Sequence, residues 1–93
     1  MKLTDAEMKV WKLYSNEVRD KVIEDFEANA HTYEDNVTLS IMMLEQIAFS
    51  VSLQWRMKLK SQSSYNIPSS SVDEFVNIME FNVIRKLKNI LFE

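Results

Sequence analysis

From Val37 to Trp55 the chain runs through 19 residues, VTLSIMMLEQIAFSVSLQW, with a single charged side chain, Glu45. In a chain of only 93 residues this run must be covered by other segments, because leaving it in water forgoes most of the drive to fold. Three structures accommodate such a run, and its pattern discriminates among them. From Phe49 to Lys60 apolar and polar residues alternate (FSVSLQWRMKLK), the period of a half-buried strand. A strand needs a pairing partner, and the following SQSSYNIPSSS offers no second apolar run and no hairpin dipeptide, so only another chain could supply one. A membrane span has the right length, with acidic residues before it and basic ones after it. Its window, however, contains Thr38, Ser40, Glu45, Gln46, Ser50, Ser52 and Gln54, and a carboxylate near the bilayer centre costs at least about 2.5 kcal/mol.

A helix sorts the same residues most economically. Val37, Ile41, Leu44, Ile47, Ala48, Val51, Trp55 and Leu59 fall on one broad face, and Leu39, Met42, Phe49, Leu53 and Met57 roughly opposite. One polar seam between them carries Thr38, Glu45, Ser52 and Arg56, the other Ser50 and Gln54. A helix apolar on two sides belongs inside a packed assembly.

The flanking segments carry their own helix signals. Thr4 and Glu7 form a Thr-x-x-Glu capping box, with Leu3 and Met8 placed as a hydrophobic staple. Trp11, Tyr14, Val18, Val22 and Phe26 then make an apolar stripe that ends near Asn29, a residue able to take the left-handed conformation where glycine is missing. NAHTYEDN is the first connector, in which Asp35 or Asn36 can cap the central helix. The serine-rich stretch 61–71 holds the only proline and reads as a mobile surface connector, and Ser71-x-x-Glu74 gives a second capping box. Val72, Val76, Met79, Val83, Leu87 and Ile90 form the last stripe, widened by Phe75, Ile78, Phe81, Ile84 and Leu91. The predicted fold is all-α: one domain over 1–93, with helices at about 5–29, 36–60 and 71–92 in a bundle completed by oligomerisation.

Composition excludes much chemistry. There is no glycine where roughly six would be usual, so no phosphate loop, dinucleotide fingerprint or nucleophile elbow can be written. There is no cysteine, and the lone histidine, His31, cannot build a His-rich metal site with only Glu34 and Asp35 beside it in a connector. No catalytic residues, metal or cofactor are therefore expected. Asn36-Val37-Thr38 matches a glycosylation sequon, but the N-terminus is a capped amphipathic segment rather than an apolar leader, so a cytoplasmic location is expected.

The charge pattern, at net −3, separates two function classes. Residues 22–55 hold six carboxylates and no lysine or arginine, whereas Arg56, Lys58 and Lys60, then Arg85, Lys86 and Lys88, come later. A nucleic-acid binder usually presents a strong basic face, which makes this chain a poor candidate; the second group, Arg85, Lys86 and Lys88, is expected to complement the dipole at the end of the last helix. Leaving Leu39, Met42, Phe49, Leu53 and Met57 wet would forgo on the order of 10 kcal/mol, so these residues are the expected contact with a second copy or a protein partner. Glu24, Asp25 and Glu27 form the expected acidic, partner-facing patch. The function expected is that of a small non-enzymatic interaction protein, an inhibitor, adaptor or assembly factor of the kind common in viruses and mobile elements. The alternative is a dimeric nucleic-acid-binding regulator that uses Arg56, Lys58 and Lys60.

Overall fold

A computed structural model describes residues 2–92 and is helical throughout its regular structure. Helix α1, Asp5–Ala28, starts at the capping box: Glu7 N donates to Thr4 Oγ1 at 3.1 Å and Thr4 N donates to Glu7 Oε1 at 2.9 Å. It ends differently from the sequence expectation. Asn29 keeps a negative φ of −129° and bonds back through Nδ2 to Asp25 Oδ1 at 2.7 Å and Asp25 O at 3.1 Å. The connector after it is not irregular, because Ala30–Tyr33 forms a one-turn helix, α2. Left-handed backbone appears instead at Asp35 (φ 62°) and Asn66 (φ 56°), residue types that tolerate it in a chain without glycine.

Asn36 Oδ1 accepts from Leu39 N at 3.0 Å and opens α3, Val37–Ser61, which is helical through the alternating segment 49–60 as well. The strand reading fails because the backbone bonds satisfied within one helix need no second chain. The stretch after α3 is a structured link rather than a loose one. It contains 3₁₀ turns at Ser63–Tyr65 and Ser69–Ser71, Ile67 is buried, and Tyr65 meets Trp55 edge-on at 5.5 Å. The second turn runs directly into α4, Val72–Phe92, with Ser71 N donating to Pro68 O at 2.9 Å, so Ser71 lies within a tightened entry turn and not at a separate cap.

Helices α1 and α4 both run antiparallel to α3, and each packs mainly against it rather than against the other. Their own meeting point is Trp11 on Phe75, with ring centroids 6.2 Å apart. The arrangement is one long helix in length, 43 × 24 × 16 Å, with a radius of gyration of 14.2 Å against about 12 Å for a typical compact chain of this size.

The core joins Val10, Tyr14, Val18 and Val22 of α1 to Leu44, Ala48, Val51, Trp55 and Leu59 of α3, and to Val72, Phe75, Val76, Met79, Val83 and Leu87 of α4. Two stripe residues depart from expectation, Val37 and Ile90, which are exposed near helix ends, and so does Ser52, assigned to a polar seam but fully buried. Ser52 sits where α1 crosses α3. Tyr14 Oη and Ser52 Oγ are 2.8 Å apart, and Ser52 Oγ donates to Ala48 O at 2.7 Å. A second tie has Trp55 Nε1 donating to Glu17 Oε1 at 3.1 Å.

Burial pushes the Tyr14 phenol from its ordinary 10.0 up to about 12, with the Glu80 and Glu17 carboxylates adding to the effect and Ser52 and Arg56 opposing it. The folded state therefore keeps a proton that the unfolded state gives up between pH 10 and about 12, and stability falls across that window by roughly 2 kcal/mol. Tyr14→Phe removes both the hydrogen bond and this alkaline loss. In urea titrations the variant should be about 1 kcal/mol less stable at pH 8, with the gap closing near pH 11.

Candidate interaction surface

Packing α1 and α4 against one side of α3 leaves its other side in solvent. Met42 is 50% exposed, Phe49 56%, Leu53 46% and Met57 72%, while Leu39 is partly covered. These residues share a face because Leu39, Met42, Gln46, Phe49 and Leu53 follow one another at spacings of three, four, three and four. That is the knob spacing of a two-helix seam, and it includes one polar residue, Gln46, of the kind that fixes register in such seams. Beside Phe49 a hollow is lined by Glu45, Gln46, Glu80 and Ile84. The buried Oε1 of Glu80 has no hydrogen-bond partner among the described residues.

The seam carrying Glu45 and Arg56 faces α4. Lys88 Nζ lies 3.6 Å from Glu45 Oε2, Arg56 Nε lies 3.6 Å from Asp73 Oδ1, and Lys60 Nζ donates to Asp73 Oδ2 at 3.0 Å. Arg56 also donates to Asn77 Oδ1. Lys58 Nζ sits 4.7 Å from the Trp55 ring centre. Asp73 thus pairs with two of the three cations in the Arg56, Lys58 and Lys60 cluster, offsetting one of their charges, and the third caps an aromatic ring.

The acidic patch is divided. Glu24 and Glu27 are exposed and share a shallow hollow with Asp20 and Ile23. Asp25 turns inward and takes the Tyr33 hydroxyl at 3.2 Å as well as Asn29, while Tyr33 stacks on Phe26 at 5.8 Å. Asp25 thus joins α1 to α2. His31 is exposed on α2, and among the described residues no group of three His, Asp or Glu is placed to hold a metal ion.

One feature has no counterpart in the linear charge pattern. Between α1 and α4, on the side away from the α3 face, lies a groove of about 830 Å³ with no α3 residue in its lining. Lys12, Asn16 and Arg19 on α1, and Asn82, Arg85, Lys86 and Asn89 on α4, line it over Trp11, Val83, Leu87 and Ile90. The two pairs of cations are far apart in sequence, and only the helical spacing of the polar lining, Lys12, Asn16 and Arg19 on one segment and Asn82, Lys86 and Asn89 on the other, hints that each set shares a face.

Among known protein families, curated proteins and solved structures, none matches this chain. Helix α3 is long and apolar enough to cross a membrane by length and composition, but in the fold its flanks are joined to α1 and α4 by Ser52, Trp55, Glu45, Arg56 and Lys60.

The two faces of α3 can be separated by one substitution made on each. Leu44→Ala, in the core, should cost about 2–5 kcal/mol, whereas Leu53→Ala, on the solvent face, should cost under about 1 kcal/mol. Denaturant unfolding at submicromolar protein concentration, where any association is minimal, makes the comparison.

Proposed function

We propose that this chain is a small non-enzymatic interaction module whose contact surface is the outer face of α3, and that a second copy of the chain is its first occupant. The supporting observation is the run of Met42, Phe49, Leu53 and Met57, half or more exposed on average, at seam spacing on one helix. Together they present on the order of 400 Å² of apolar surface, within the range of the largest patch on a typical monomer, where such patches often serve binding. With a polar rim in usual proportion this becomes roughly 700 Å² per copy, near the lower end of a specific dimer. Two methionines make the face adaptable, and Gln46, exposed among them, supplies a polar point that fixes orientation. The exposed carboxylates Glu24 and Glu27, with Asp20, form a separate acidic strip suited to a basic macromolecular partner in an inhibitor, adaptor or assembly role.

The alternative, a nucleic-acid-binding regulator working through Arg56, Lys58 and Lys60, draws less support. Phosphate contact there would compete with Asp73 for Arg56 and Lys60 and would draw Lys58 off Trp55.

Sedimentation from low to high micromolar concentration tests the reading. The wild-type chain should move from the mass of one copy towards that of two. Phe49→Glu with Leu53→Glu should stay monomeric with unchanged helix content by circular dichroism. A wild-type chain that remains a monomer across the range, or a variant that still dimerises, sinks the self-association proposal.

A further inference from the structure

The groove between α1 and α4 is a second surface, on the opposite side of the molecule from the α3 face, and its chemistry is different. Its floor is apolar: Trp11 is half-buried, Leu87 is buried, and Ile90 stands exposed at one end. Its rims are basic, with Lys12 and Arg19 on α1 and Arg85 and Lys86 on α4, and among the described residues no carboxylate lines it. Asp20 lies at the edge, where one oxygen is 3.6 Å from Arg19. Arg85 is held over the Phe81 ring and by Asn82, while neither Lys12 nor Lys86 has an ion-pair partner among the described residues. Four cations around an apolar trough, in a chain whose net charge is −3, are a local concentration of positive charge.

The geometry points to this groove as the docking site for an acidic amphipathic helix of a partner protein. The lining segments 11–19 and 82–90 each extend roughly 12 Å, a little over two helical turns. A helix laid there sits between α1 and α4 opposite α3 and completes a four-helix arrangement. Its apolar stripe covers Trp11, Leu87 and Ile90, and carboxylates along both flanks reach the four cations, which at this range act within a Debye length despite the chain's overall negative charge. An apolar floor favours this occupant over a nucleic-acid strand. Trp11 is already packed on Phe75, which limits base stacking, and the short row of cations offers few phosphate contacts. The site is independent of whether α3 pairs with a second copy.

The two tryptophans provide a built-in readout. Trp11 lines the groove, whereas the Trp55 indole is buried and bonded to Glu17. The probe is a synthetic amphipathic peptide of about 16 residues with leucines at helical spacing and glutamates on both flanks, alongside a counterpart with lysines for glutamates. Titrated into the full chain, the glutamate peptide should shift the Trp11 indole N–H resonance saturably and leave that of Trp55 in place. Binding should weaken severalfold from low to high salt, and tenfold or more in Lys12→Glu with Lys86→Glu, two exposed positions whose change should leave the thermal melt intact. The lysine peptide should not bind. The proposal is overturned by no saturable Trp11 shift, by equal binding of the lysine peptide, or by binding unaffected in the double variant. It is likewise overturned by a single-stranded oligonucleotide that moves Trp11 at lower concentration than the glutamate peptide does.

Discussion

Burial of the inner face of α3 is the constraint on which the rest of the structure depends. Leu44, Ala48, Val51, Trp55 and Leu59 lie between α1 and α4, and each large side chain there contributes about 1.5–3 kcal/mol by leaving water. Neither flanking helix has an equally extensive contact with the other, so both are organised by α3. The polar ties follow the same logic. Tyr14 with Ser52 and Trp55 with Glu17 join α1 to α3, and because they are specific hydrogen bonds at buried or half-buried sites they select one register among many apolar contacts of similar energy.

Placing both partners on one side of the central helix has a geometric consequence. The part of α3 bearing Phe49, Leu53 and Met57 is left exposed, and α1 and α4 are left with a trough between them on the far side. The exposed ion pairs of Asp73 and of Glu45 with Lys88 add little stability in water; they mark the line along which α4 borders α3, where apolar packing places it. The molecule therefore presents an apolar ridge on α3 and, away from it, a basic groove between α1 and α4.

Much of the fold was legible in the linear pattern. The Thr4 and Glu7 box marks the first helix to the residue, Asn36 caps the second long helix as its side-chain chemistry suggests, and the exposed set Met42, Phe49, Leu53 and Met57 separates from the core set on a helical wheel. The alternation at 49–60 misleads because a broad two-sided helix contains stretches that also fit a period of two. Ser52 misleads because a hydroxyl bonded to the Ala48 carbonyl of its own helix can enter a core, and only the arrival of Tyr14 shows that it does. Asp25 misleads for the converse reason: it stands among solvated carboxylates in the sequence, but its partners Asn29 and Tyr33 come round through a turn.

The three long helices were fixed locally in the sequence, because caps and apolar periodicity are properties of neighbouring residues, and the same periodicity gives the central helix two apolar faces. By contrast, α2 and the 3₁₀ turns lie in stretches read as connectors. Which face is covered, which seam meets α4, and that Lys12, Arg19, Arg85 and Lys86 surround one groove were decided only by the tertiary structure. Those outcomes depend on where α1 and α4 lie around α3. That placement is set by long-range packing between residues some 20 to 40 positions apart, such as Arg56 with Asn77 and Tyr14 with Ser52, which no local pattern encodes.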